Sequence, residues 1–158
     1  MKARVADFRR AFGWGVIASL AMSVTLLLLF VVQRSPMTEP FGVAFVDRLL
    51  PGAQSRGALL AISFLAQLLV GGLAAGLVAL TRRGLTMWRS FLLAGVMWLV
   101  QVFVLMPWAG WGVLATNVDT RIPVATVCLF AVYGSILAYL VEQEWTWRPL
   151  SALRFRGY

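Results

Sequence analysis

The sequence predicts an all-α integral membrane protein that folds as a four-helix bundle. Hydrophobic residues make up 61% of its 158 residues and charged residues only 13%, which is about half the charged fraction of an average soluble domain. Between residues 12 and 141 lie four apolar stretches long enough to cross a bilayer, and none contains Asp, Glu, Lys, Arg or His. Four spans leave little chain for anything else, so we predict a single transmembrane domain over residues 1–158.

The first predicted span covers residues 12–32. Four basic residues precede it, and no A-x-A-like cleavage site follows it. Its apolar run is longer than the hydrophobic region of a signal peptide, so we expect a retained signal anchor. The second span covers residues 57–80 and ends before the basic pair Arg82 and Arg83.

The third predicted span covers residues 90–106 and ends at Pro107, and the fourth covers residues 123–141. Pro123 suits a first helical turn, where its missing N–H would have no intrahelical partner. Between the first two spans, residues 41–50 form an apolar segment that is too short to cross the bilayer. We expect a short interfacial helix that lies on the outer leaflet or caps the bundle; a docking surface for a partner is the open alternative.

The distribution of basic residues predicts the orientation. Ten lie in the N-terminal segment, the second loop and the tail, against four in the other two loops. The positive-inside rule therefore places both termini in the cytoplasm, and the net charge of +8 divides into +7 inside and +1 outside. We expect a bacterial inner-membrane protein.

The basic residues flank spans, so anionic lipid headgroups are the expected partner, and nucleic acid is not. The predicted lipid-anchoring residues lie in the second loop and in a basic-aromatic cytoplasmic tail, residues 142–158: Arg82, Arg83, Arg89, Trp145, Trp147, Arg148, Arg154 and Arg156.

Small residues at four-residue spacing predict the helix-packing faces. In lipid, helices gain little from burying apolar surface against one another and associate through small residues and polar contacts. The sequence leaves open whether the partner helix belongs to the same chain. The predicted packing residues are Gly15, Ser19 and Ser23 in the first span, Ser63, Gly71, Gly72, Ala75 and Gly76 in the second, and Gly134 in the fourth.

Gln67 and Gln101 are the two deep polar side chains of the second and third spans. At 1.5 Å per residue, both lie about 16 to 20 Å from the cytoplasmic ends of their spans, so they could meet across an interface. Two interpretations stay open. They form an interhelical hydrogen bond worth about 0.6 to 2 kcal/mol, or they line a path for a substrate or water.

The two halves of the chain share an order of features, which is consistent with a duplicated helical hairpin. Each half rises from the cytoplasm, makes a Pro-containing outer segment and returns through a span with a central glycine, LVGGL at residues 69–73 and VYGSI at residues 132–136. Both halves have the same orientation, so the repeat axis would lie along the membrane normal.

Several motifs together resemble small bacterial four-span membrane proteins known only as domains of unknown function. They are GVIASLAMS at residues 15–23, LLVGGL at 68–73, the turn at Met106 and Pro107 with Gly110 and Gly112 after it, and Tyr133 with Gly134. The resemblance implies the fold and not an activity. Such proteins often carry a His ahead of the glycine in the second and fourth spans, whereas this chain has no His, with Gln67 and Phe130 in those neighbourhoods.

The residue inventory argues against an enzyme. The chain has no His, one Cys, no carboxylate inside a span and no phosphate-binding glycine loop, so we expect no catalytic centre, metal or cofactor. The leading hypothesis is an accessory or assembly subunit that packs against a larger membrane complex or against copies of itself. The alternative is a small transporter or channel for a neutral or lipid-like substrate.

Overall fold

The computed structural model describes residues 2–32, 35–37, 39–50, 52, 55–81 and 84–153, and the side chains of these between residues 7 and 143. It confirms the all-α class, since every regular element in this part of the chain is a helix. The helices are α1 (Lys2–Val31), α2 (Phe41–Leu49), α3 (Arg56–Ala79), α4 (Met87–Val100), a π-helical segment (Gln101–Leu105), α5 (Met106–Trp108), a 3-10 turn (Val113–Ala115) and α6 (Ile122–Leu153).

Four stretches of helix are long and apolar enough to cross a membrane, and the chain is an integral membrane protein. They are Asp7–Val31, Arg56–Ala79, Met87–Trp108 and Ile122–Gln143.

The helices extend beyond the spans that hydropathy predicts. α1 begins at Lys2 and α6 continues to Leu153, because hydropathy marks only the part of a helix that suits lipid. The side chains of the predicted anchoring residues Arg82, Arg83, Trp145, Trp147, Arg148, Arg154 and Arg156 lie outside the described residues, so their role stays a prediction.

The third span continues through Pro107 to Trp108 instead of ending before the proline. In a regular α-helix the ring of Pro107 would clash with the carbonyl of Phe103, four residues earlier. The π-helical segment Gln101–Leu105 directly precedes this point, and there the Met106 N–H donates to the Gln101 carbonyl, five residues back instead of four. The helix therefore accommodates the proline at the cost of one irregular turn.

Side-chain caps begin two of the spans. The Ser55 hydroxyl accepts a hydrogen bond from the Ala58 N–H at the start of α3, and the Thr86 hydroxyl accepts one from the Arg89 N–H at the start of α4. Each cap satisfies one of the N–H groups that have no partner in the first helical turn. The Thr86 cap thereby fixes the short connection between α3 and α4 at the end that leads into α4.

The four spans surround a core that is closed on three sides. α1 packs along α3 and along α6, and α6 also packs along α4, whereas α3 and α4 make few contacts with each other. We name the two halves of the bundle after their predicted orientation: the cytoplasmic half contains the start of α1 and the end of α6, and the outer half contains α2. In the cytoplasmic half, a cluster of buried side chains fills the centre of the bundle: Ala11, Ala18, Ala75, Leu85, Ala94, Tyr133, Leu137 and Val141.

α2 caps the outer end of the bundle, at the position where the sequence predicts a short helix over residues 41–50. Its Val43 and Val46 are buried against Leu59 of α3. A second cluster closes the outer end of the other helices: Met37, Val102, Met106, Trp111, Ala115 and Ile122.

The two helical hairpins pack in a similar way, as a duplication would require. In the first, Gly15 of α1 touches Gly71 of α3; in the second, Gly134 of α6 lies against Ala94 of α4. The interfaces between the hairpins differ, because α1 packs closely on α6 while the corresponding pair, α3 and α4, stays apart. The gap between α3 and α4 is where the candidate site lies.

Candidate ligand-binding groove

The closest approach in the bundle is between α1 and α3. A Cβ atom on Gly15 would overlap the carbonyl oxygen of Gly71 and would lie only 2.8 Å from the Cβ of Ala75. A Cβ on Gly72 would lie 2.9 Å from side-chain carbons of Phe12 and Val16 of α1. The predicted packing residues of these two spans therefore meet each other within one chain.

Of three other predicted packing residues, Ser19 and Gly76 belong to the same interface between α1 and α3, whereas Ser63 does not. Ser19 is only 2% exposed, and its hydroxyl occupies the position that a Cβ on Gly71 would take. Ser63 faces α2 instead of α1, since a Cβ on Gly42 would lie 3.1 Å from the Ser63 Cβ. Gly76 is covered by the ring of Phe8, 2.6 Å from where its Cβ would lie.

A short series of hydrogen bonds joins α3 to the neighbouring spans. The Gln67 side-chain amide donates to the Ser23 hydroxyl at 3.1 Å, and that hydroxyl donates to the Ser19 carbonyl at 2.9 Å. One helical turn away, the buried Tyr133 hydroxyl of α6 donates to the Gly71 carbonyl at 2.8 Å. Gln67 thus forms an interhelical hydrogen bond, but with a serine of α1.

Gln101 has a different environment. It is the first residue of the π-helical segment, and its side chain forms no hydrogen bond with any residue that the structure describes. The two glutamines do not bond to each other; they line one groove instead. π-helical turns in α-helices occur frequently at functional sites.

The groove has a volume of ≈ 630 Å³ and occupies the outer half of the bundle. Most of its lining is apolar, and no Asp, Glu, Lys or Arg occurs among the described lining residues. Its polar members are Ser19, Ser23, Ser63, Gln67, Gln101, Thr126 and Tyr133.

The groove opens to the side, between α3 and α4. Lining residues on both helices are about half exposed, namely Val70 at 55% on α3, and Val96 at 49% and Val100 at 45% on α4. α2 covers the outer end with Phe41 and Phe45, and the core cluster of the cytoplasmic half closes the inner end. A molecule dissolved in the bilayer would therefore enter from the hydrocarbon region.

The groove provides hydrogen bonds and apolar contacts. Cys128 is exposed and lies outside its lining. Across the residues that the structure describes, no group of three His, Cys, Asp or Glu side chains is placed to hold a metal ion.

Arg89, predicted to anchor the chain to lipid, has a role within the connection between α3 and α4. Its guanidinium donates to the Thr81 hydroxyl at 2.9 Å and to the Gly84 carbonyl at 2.8 Å. Gly84 has a positive φ of 64°, which favours glycine. Arg89 thereby joins the ends of two helices that separate in the outer half.

Tyr133 and Thr126 line the groove and were not predicted as site residues. Thr126 accepts a hydrogen bond from the Trp98 indole N–H at 3.2 Å, while Tyr133 bonds to Gly71. Both are polar side chains inside an apolar span, which is the signal that would have found them.

The fold and the groove define a four-span helical membrane protein with a lateral cavity in its outer half. Comparisons with protein-family models, curated proteins and solved structures found no match.

Proposed function

We propose that this protein binds a lipid-like molecule in the groove between α3 and α4, as a non-catalytic binding protein. The observation that carries the proposal is a lateral opening into a cavity of ≈ 630 Å³ that contains the Gln101 amide, which has no hydrogen-bond partner among the described residues. That volume lies within the range of about 300 to 1,000 Å³ typical of small-molecule sites. The proposal develops the lipid-like substrate that the sequence suggests as an alternative.

The position of the groove favours binding over conduction. A channel needs a polar path from one side of the membrane to the other. Here the polar lining ends near Ser19 and Tyr133, and buried apolar side chains such as Leu137 and Val141 fill the cytoplasmic half. A molecule in the groove therefore reaches the outer half of the bundle and goes no further in this conformation.

We further propose that the protein lies in a bacterial inner membrane with both termini in the cytoplasm. The excess of basic residues on one side and the resemblance to small bacterial four-span proteins support this location. In that orientation the groove faces the outer leaflet.

The test fills the groove and compares bound lipid. Val100 lines the groove and is 45% exposed, whereas Val104 is 56% exposed in the same span and lies outside the lining. We expect native mass spectrometry of the protein in mild detergent to show a bound lipid in wild type and in Val104→Trp, and not in Val100→Trp. Equal occupancy in both variants would contradict the proposal.

The accessory-subunit hypothesis is a second candidate, and one observation favours it. α1 and α6 pack together, and α6 continues from Gln143 to Leu153 beyond its span, which is about 15 Å of additional helix. The small-residue faces of α1 and α3 already contact each other, so a second chain would use this extension.

Its test is co-purification. Stoichiometric partner chains that are lost in Trp147→Ala and kept in Val100→Trp would support an accessory subunit. Partner-free protein that still carries the lipid would support the groove as the functional site.

A further inference from the structure

We infer that the groove selects an amphiphile with a small uncharged head that carries a hydroxyl or a carbonyl group, held at depth by Gln101 and Gln67, and that it excludes phospholipids. This inference rests on the proposed function and names the class of its ligand. It follows from where the polar groups lie, which of them are unpaired, and how large the groove is.

The side-chain amides of the groove lie deep in the membrane. Gln67 lies eleven residues inward of Arg56, and Gln101 lies seven residues inward of Trp108, or about 16 and 10 Å below the outer ends of their helices. Nearer the surface, the groove is lined by Phe41 and Phe45, and the hydroxyls of the shallower Ser63 and Thr126 donate to backbone carbonyls of their own helices. The polar groups that are open to a ligand are therefore deep, the reverse of a phospholipid, whose charged head stays at the interface.

The described lining of the groove is uncharged, since none of these residues is a Lys, Arg, Asp or Glu. A phosphate or ammonium group brought to this depth would have no counter-ion, and the cost of burying an unpaired charge would oppose binding. An uncharged head has no such cost.

Two side-chain amides of the groove have hydrogen-bonding capacity that the protein does not use. The amide nitrogen of Gln67 donates to Ser23, but its oxygen accepts no hydrogen bond from any residue that the structure describes. The Gln101 amide neither donates to nor accepts from any of these residues. An amide offers two donors and a carbonyl acceptor. In hydrocarbon no water is present to satisfy them, so a ligand hydroxyl or carbonyl placed between the two side chains would remove that penalty.

The groove is too small for a transmembrane helix. A helix about 10 Å in diameter occupies roughly 420 Å³ per 5.4 Å turn, so the groove of ≈ 630 Å³ holds only about one and a half turns. A transmembrane helix of a partner would leave most of its length outside. A single chain with a small head fits the volume better.

The test compares an alcohol, a hydrocarbon and a phospholipid whose chains all have 18 carbons. Oleyl alcohol, 1-octadecene and dioleoylphosphatidylglycerol are titrated into the full-length protein in detergent, and binding is measured by native mass spectrometry. We expect oleyl alcohol to bind about tenfold more tightly than 1-octadecene, and phosphatidylglycerol to bind more weakly than the alcohol. In Gln101→Leu the alcohol should lose about tenfold in affinity, while Val104→Leu should match wild type.

The outcomes separate the inference from the proposed function. Equal binding of oleyl alcohol and 1-octadecene to wild type, blocked by Val100→Trp, would overturn the head-group inference and keep the lipid site. Preferential binding of phosphatidylglycerol in the groove would also overturn it. No binding of any probe at the groove would overturn both. The comparison on wild-type protein is decisive even if Gln101→Leu fails to fold.

Discussion

The Tyr133 hydroxyl donates a 2.8 Å hydrogen bond to the backbone carbonyl of Gly71, and so joins α6 to α3 across the centre of the bundle. Gly71 is also where α1 comes closest, because Ser19 and Gly15 both touch it. Three spans therefore meet at one residue that has no side chain. The bundle is filled on the cytoplasmic side of this point and open on the outer side, so the junction forms the inner end of the groove.

Removing the Tyr133 hydroxyl should destabilise the bundle without leaving a cavity. We expect Tyr133→Phe to lower the free energy of unfolding by about 0.6 to 2 kcal/mol, the value of a hydrogen bond between transmembrane helices. Tyr139→Phe is the matched control, since Tyr139 is 60% exposed. Equilibrium unfolding in mixed micelles measures both, and equal stability of the two variants would contradict the role given to Tyr133.

A methyl group at Gly71 should force α1 and α3 apart. Its Cβ would overlap the Ser19 hydroxyl, whereas a Cβ on Gly13 meets no atom within 4 Å. We expect Gly71→Ala to cost about 1 to 3 kcal/mol, as overpacking of a tight core does, and Gly13→Ala to be neutral or slightly stabilising.

The effect should appear in the isolated chain, because both faces belong to it. Thermal unfolding at two protein concentrations tests this point. A loss of stability that depends on concentration would instead show that these glycines act between chains.

The hydrogen bond between Gln67 and Ser23 can be isolated with a double-mutant cycle. We expect Gln67→Leu and Ser23→Ala to be non-additive, with a coupling energy of about 0.6 kcal/mol, the average for such bonds in a membrane bundle. Additive effects would mean that the two side chains do not interact in the membrane. The same cycle with Gln67 and Ser135, which are not hydrogen-bonded in the structure, provides the baseline.

Loss of the Arg89 side chain should loosen the connection between α3 and α4. Arg89→Gln removes two hydrogen bonds, to Thr81 and Gly84, worth together about 1 to 3 kcal/mol. We expect faster limited proteolysis between residues 80 and 86. Arg121→Gln makes the same change of charge at an exposed outer position, and equal cleavage rates in the two variants would show that Arg89 does not brace the connection.

The fold could be predicted from sequence because lipid imposes simple constraints. A span needs about 20 apolar residues, and its backbone must satisfy its own hydrogen bonds, so the hydropathy along the chain is enough to reveal four helices. The small-residue stripes could be recognised as packing faces for a similar reason. Their partner could not, because stripes on Gly15 and Gly71 fit each other as well as they fit helices of another chain.

The groove could not be predicted, because it exists where α3 and α4 do not pack against each other. Nothing local in α3 or α4 indicates that these helices stay apart while α1 and α6 pack closely. The depth of Gln67 and Gln101 was visible in the sequence, but their partners depend on helix rotation. Gln67 turns towards Ser23. Gln101 begins a π-helical turn, and that turn depends on both Pro107 and the side chains packed around it.

The central claim, a lipid site in the groove, is tested most directly by photo-crosslinking in native membranes. A long-chain alcohol that carries a diazirine near its hydroxyl would be incorporated into the membranes and activated by light. Mass spectrometry of the digested protein would then map the residues that carry an adduct. The account predicts adducts concentrated at residues 60–70 of α3 and residues 96–105 at the end of the third span. Labelling spread evenly over the lipid-facing residues of all four spans would contradict it.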